Sequence, residues 1–185
     1  MSWVIVSKKG LVIRNHGQKA ATPYLRKWMA TLSGDHPKKS LCLDIGCGNL
    51  RNTALALEHG FRVLPIDHHD DAVVQKDVGN EPLPVKDGRG DLILLQFMLM
   101  FLTPKERTHL YSEVNRVAAP GAHVVIELED VKSAVAPSSI KAVLKGMGQG
   151  WEVVNQGKKN CILKKVPMRV SQMIRLARRA SSSCR

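Results

Sequence analysis

The chain has 185 residues, 44% of them hydrophobic, which suits one domain with an ordinary core and excludes a disordered chain. Its net charge of +12 is unevenly spread: residues 1–40 hold eight Lys/Arg and one acid, residues 41–163 thirteen and fifteen, and residues 164–185 seven and none. Four cysteines (Cys42, Cys47, Cys161, Cys184) show no CxxC and no zinc-type spacing, so free thiols in a reducing, cytoplasmic compartment are expected rather than a zinc module or a disulfide scaffold.

Met1–Gly10 is charged too early, and its apolar run is too short, for a secretory signal. Trp3–Arg14 reads as two short β-runs about a Ser-Lys-Lys-Gly turn. Thr22–Leu32 reads as a helix, with Thr22 as N-cap, Pro23 at the first helical position, and Leu25, Trp28, Met29 and Leu32 on one stripe. From Ser40 onward strand and helix alternate. Ser40–Ile45 is β, Asn49–His59 a helix stopped by Gly60, Arg62–Ile66 β, and Val73–Gln75 a very short strand before the Pro-broken loop GNEPLPVKDGRG. Asp91–Leu95 is a near-continuous apolar strand of the kind a doubly covered sheet buries. The longer apolar run Leu92–Leu102 is interrupted by Gln96 and is too short to cross a bilayer, so no transmembrane segment is expected. Pro104–Ala118 is a helix, His123–Leu128 a strand and Ser138–Lys145 a helix. Trp151–Asn155 and Cys161–Val166 form a hairpin-like pair. This order predicts an α/β fold: a three-layer Rossmann-like sandwich, mostly parallel, with an antiparallel edge strand.

The chemistry concentrates in LCLDIGCGNLRN, residues 41–52. Gly46 and Gly48 follow a strand and precede a helix, where main chain can approach a ligand and helix N–H groups lie unpaired. Asp67 ends the next strand about 20 residues on, the place from which a carboxylate grips ribose hydroxyls. Together they indicate an adenosine-type cofactor. A dinucleotide needs a glycine where Arg51 stands. Asp44, just before the turn, would repel a pyrophosphate and attract the ammonium and sulfonium of S-adenosylmethionine.

LDIGCGNLRN resembles the first motif of class I S-adenosylmethionine-dependent methyltransferases, usually Asp-x-Gly-x-Gly-x-Gly. With FMLMFL and RVAAPGAHVVI it is also similar to the tellurite-resistance group of that superfamily, over roughly residues 40–130. The resemblance implies S-adenosyl-L-methionine as cofactor. It implies that Asp44 orients the methionine end, and that Gly46, Cys47 and Gly48 line it with backbone. Asp67 would accept the ribose hydroxyls with His68 beside the adenine, Asp77 would accept the adenine amino group, and Val78 would pack on the ring. Gln96 and Phe97 would face the transferable methyl. Leu50 replaces the third glycine and is tolerated there if its dihedrals are ordinary.

Residues 1–39 are then expected to form a basic substrate lid and residues 40–166 the cofactor-binding core. Residues 167–185 would be a basic helix and tail, with Val170, Met173, Ile174 and Ala177 on one stripe. The methyl acceptor is a small molecule or a nucleic acid, the latter reached through the basic termini. QFML lacks the motif used for amino groups on DNA. No general base can be picked out, and Cys47 reads as a small packed thiol. DHHDD (residues 67–71) reads as solvated loop apart from Asp67, with no metal. The alternative is an inactive binder of the cofactor or of nucleic acid on the same fold. The sequence leaves the acceptor and the oligomeric state open.

Overall fold

A computed structural model describes residues 4–6, 12–14, 20–32, 40–68, 74–129 and 136–167. Val4–Val6 (β1) and Val12–Arg14 (β2) pair antiparallel in a sheet of their own, Val4 opposite Arg14. Helix α1 (Pro23–Met29) starts as expected: Thr22 is the cap, its hydroxyl accepts from the Leu25 N–H, and Pro23 follows.

The main sheet contains β3 (Leu41–Ile45), β4 (Arg62–Asp67), β5 (Val74–Gln75), β6 (Gly90–Gln96), β7 (Ala118–Glu127), β8 (Trp151–Gln156) and β9 (Asn160–Lys165). Their spatial order is β5-β4-β3-β6-β7-β9-β8. The pairings among β3, β4, β5, β6 and β7 are all parallel, and β9 runs antiparallel to both of its neighbours. The antiparallel pairing therefore falls at one end of the sheet, as expected, and β9 carries it from one place inside the edge. Burial explains why. Cys161, Ile162 and Leu163 of β9 are buried, whereas β8 is exposed along nearly its whole length, so the apolar member of the hairpin goes inward.

Strand alternation feeds two cores. Cys42, Leu92, Leu94 and Val125 face Leu25 and Met29 of α1 and Ala56 of α2 (Arg51–Glu58). Leu43, Ile45, Ile93, Leu95, Val124 and Ile126 face α3 (Pro104–Val117) and α4 (Ile140–Met147). The result is a helix–sheet–helix sandwich. The strand order reverses between β3 and β6, and the crevice beyond their carboxyl ends is where such sheets take ligands.

Two local readings shift. Helix α2 begins at Arg51 rather than Asn49, because Leu50 is left-handed. A 3₁₀ turn, Leu99–Phe101, follows β6, and β7 starts at Ala118, ahead of the Pro-Gly pair, with a register shift between Gly90 and Leu92. The expected C-terminal helix lies, from residue 168 on, outside the described residues.

Candidate functional site: the carboxyl ends of β3, β4, β6 and β7

The loop after β3 is pinned to β4. The N–H groups of Gly46 and Cys47 both donate to Ile66 O (2.8 and 3.1 Å). The Gly48 N–H donates to Asp67 Oδ2 at 2.9 Å. The two glycines serve different ends. Gly46 has φ +72°, and a Cβ there would sit 2.6 Å from Met98 Cβ, so glycine lets the loops after β3 and β6 touch. At Gly48 (φ +46°) nothing among the described residues lies within 4 Å of the corresponding point, so its face is open to a ligand there. Cys47 between them is buried, and desolvation pushes its thiol well above its ordinary range, consistent with an inert packed side chain.

Leu50 departs from expectation. Its dihedrals are not ordinary: φ is +64°, in the left-handed region, and the side chain is buried. A leucine there bears roughly 1–2 kcal/mol of steric cost that glycine would not. Burial of the side chain, about 1.5–3 kcal/mol, offsets it. Phe97, at the end of β6, is also left-handed (φ +56°), so the two non-glycine residues of positive φ among the described residues both border the crevice.

Asp44 is fully buried on the α1/α2 side of β3. Thr53 of α2 donates to its Oδ2 at 2.5 Å, and its Oδ1 has no partner among the described residues. Desolvation raises its pKa to about 6, against the Thr53 hydrogen bonds and the charge of Arg51, which lower it. Asp67 is buried at the end of β4, where its Oδ1 accepts from the His68 N–H (2.7 Å) and lies 2.8 Å from His68 Nδ1. Its carboxylate thus braces the glycine loop as well as facing the crevice. The His68 side chain itself is mostly exposed. Asp77 is exposed and turns its carboxylate onto the Gly79 N–H (3.0 Å) and Asn80 Nδ2 (2.9 Å), with Val78 buried beside it. Gln96 is buried. Its Nε2 donates to Val125 O at 3.2 Å, and its Oε1 has no partner among the described residues.

Several residues at the site have no counterpart in the sequence reading. Thr53 holds Asp44. Arg51 places its guanidinium 5.5 Å from the Phe97 ring centroid, and its charge bears on both Asp44 and Glu127. Glu127 ends β7, buried, and the Thr22 hydroxyl donates to its Oε1, tying the start of α1 to the strand end. Desolvation raises its pKa. The signal for Glu127 was present: an acid closing an apolar strand, as at Asp44 and Asp67. A cavity of about 190 Å³ at the opposite end of the strands, lined by Trp28, Phe61, Leu92 and His123 among others, shares none of these groups.

Residues 43–126 match the family model described as "Methyltransferase domain". The matched segment takes in the glycine turn with Asp44, and also Asp67 and Gln96, and it supports the class I methyltransferase resemblance. Its fold is similar to that of a TehB-like S-adenosylmethionine-dependent methyltransferase from Corynebacterium glutamicum (19% identity, 80% of this chain and 89% of that one, TM-score 0.61). It is also similar to a methyltransferase of the same cofactor dependence from Archaeoglobus fulgidus (17% identity, 77% and 91%, TM-score 0.60). A putative one from Methanococcus maripaludis aligns at 19% identity over 80% and 86%, with a TM-score of 0.56. No curated protein matches the sequence. S-adenosylmethionine is the cofactor this family implies, and the residues of the matched segment fit it. Among the described residues the buried Asp44 Oδ1 lacks a donor, which an ammonium would supply, and none covers the open face of Gly48. Among the described residues no helix is long and apolar enough to cross a membrane.

Proposed function

We propose that this chain transfers the methyl group of S-adenosylmethionine to an acceptor. The reading rests on one observation above all: a fully buried carboxylate, Asp44, with one oxygen unpartnered among the described residues, beside the open face of Gly48 at the switch point of the sheet. In this reading Asp44 and the backbone of Gly46, Cys47 and Gly48 hold the methionine end. Asp67 takes the ribose hydroxyls, and His68, Asp77 and Val78 border the adenine. Gln96 and Phe97 face the methyl. When bound, the cofactor supplies a methyl already activated by a sulfonium, so the chain contributes orientation and exclusion of water.

The acceptor is a small molecule or a nucleic acid, reached in a cytoplasmic setting. The basic segments 1–40 and 164–185 favour a phosphate-bearing one, and affinity for it is expected to fall steeply with salt; a flat salt dependence overturns that choice. Residues 1–39 act as lid, 40–166 as core and 167–185 as a basic appendage. The TehB-like neighbour suits the tellurite-resistance subgroup. Calorimetry with S-adenosylmethionine and S-adenosylhomocysteine tests the cofactor reading, with Asp67→Ala expected to weaken both by about a hundredfold through loss of a charge-assisted contact and of the loop brace. Absence of heat with the parent chain overturns it. Left-handed Leu50 motivates a second reading, a binder without turnover; methylated products detected by mass spectrometry exclude it.

A further inference from the structure

Gln96 and Glu127 are cross-strand partners at the carboxyl ends of β6 and β7. Adjacent strands run about 5 Å apart. Both side chains emerge on the α1/α2 face, in step with Leu94 and Val125. Both are more than nine-tenths buried. Each presents acceptor capacity that the described residues leave unused. Gln96 Oε1 has no donor among the described residues, and the hydrogen bond from its amide nitrogen to Val125 O fixes the amide's orientation. Among the described residues the Glu127 carboxylate receives one hydrogen bond, from Thr22 to Oε1. A buried amide oxygen without a donor, beside a carboxylate that receives one hydrogen bond among the described residues, is costly unless a ligand brings the protons.

We propose that Gln96 and Glu127 receive an amino nitrogen of the methyl acceptor, with Glu127 taking its proton. The inference rests on the methyltransferase reading above. A nitrogen bearing two hydrogens satisfies both oxygens at once; a hydroxyl satisfies one, and a thiolate neither. In the reaction the nitrogen lone pair forms the new nitrogen–carbon bond. The carbon–sulfur bond breaks, and its electron pair stays on sulfur. One N–H proton passes to the Glu127 carboxylate and from there to water. The Thr22 hydroxyl, already donating to Oε1, orients the carboxylate, and Arg51 is close enough to favour its ionised form.

Sinefungin tests this without knowledge of the acceptor, because it carries a primary amine where S-adenosylmethionine carries its methyl. S-adenosylhomocysteine has the same amino-acid and adenosine ends and lacks that amine. By calorimetry the parent chain is expected to bind sinefungin about tenfold more tightly than S-adenosylhomocysteine. Glu127→Gln keeps an oxygen for Thr22 and so preserves the fold contact. It is expected to bring that ratio close to one while leaving S-adenosylhomocysteine within about twofold. Gln96→Leu is expected to lower the ratio less. Thr22→Val, which removes the hydrogen bond that orients the carboxylate, is expected to lower the ratio in part while leaving S-adenosylhomocysteine within about twofold. A preference for sinefungin unchanged in Glu127→Gln overturns the proposal and leaves the cofactor reading standing. Equal weakening of both ligands also overturns it, by assigning Glu127 to the cofactor's own ammonium. Failure of the parent to bind either ligand removes the cofactor reading and the proposal with it.

Discussion

Helices α2 and α3 both follow a strand of the parallel sheet, yet they begin in opposite ways. Helix α3 is closed by its own residues. The Thr103 hydroxyl accepts from the Glu106 N–H, the Glu106 carboxylate accepts from the Thr103 N–H, and Pro104 stands at the first helical position. Helix α2 starts after a left-handed leucine with no side-chain cap. Its preceding loop is fastened instead from a distance, by Ile66 O and the Asp67 carboxylate. One start is finished locally and packs; the other is held open by tertiary contacts beside a buried carboxylate. Local rules give way where the chain has something to bind.

The strongest way to break this contrast is Gly46→Ala. A Cβ 2.6 Å from Met98 Cβ, at φ +72°, admits no easy relief. We expect a loss of about 3 kcal/mol in urea unfolding, together with loss of cofactor binding. An unchanged midpoint would mean the two loops need not touch. Next comes Thr53→Val, which removes the hydrogen bond to buried Asp44 at nearly constant shape. We expect about 2 kcal/mol of destabilisation at pH 7 and a further rise in the Asp44 pKa, read by the pH dependence of stability. The sign follows from Asp44 itself. Its folded pKa, about 6, exceeds its ordinary 3.8. Its contribution to stability is therefore most favourable below about 3.8 and is lost as pH rises through about 6. Cofactor binding should run the other way. A cationic ligand wants Asp44 ionised, so calorimetric affinity should fall as pH drops from 7 to 5, and this slope should vanish in Asp44→Asn.

Thr103→Ala is a smaller change, costing about 1 kcal/mol by loss of the cap hydroxyl and leaving ligand affinity untouched. A measurable drop in affinity would show that the closed helix start also communicates with the site. Smallest is Leu50→Gly. Relief of the left-handed strain opposes loss of a buried side chain, and burial wins narrowly. We expect a net loss of about 1 kcal/mol or less by urea unfolding, and an affinity within a few-fold of the parent. A gain in stability would show that backbone strain outweighs side-chain burial at this position.

Much of the candidate site could be located from the sequence because its signals are local. An apolar run closed by an acid marked Asp44 and Asp67, and paired glycines marked the turn. A change from alternating to helical spacing placed α1, α2 and α3 to within a few residues. What escaped reading depends on residues far apart in sequence. Thr53 reads as an ordinary helix residue until α2 packs over β3. Glu127 reads as a strand end until the Thr22 hydroxyl, 105 positions away, reaches it. The division of labour between Gly46 and Gly48 is invisible in the motif, because Met98, not the motif, fills one of the two spaces.

Composition, alternation and turn chemistry by themselves determined the α/β class, the strand–helix order and the glycine turn with its acids, since each is set by neighbours along the chain. Tertiary structure alone decided that β9 lies inside β8, that Leu50 is left-handed, and that buried acceptors lacking donors among the described residues line one face of the strand ends. Those outcomes depend on which surfaces meet once the sheet has formed, and on how little water is left between them.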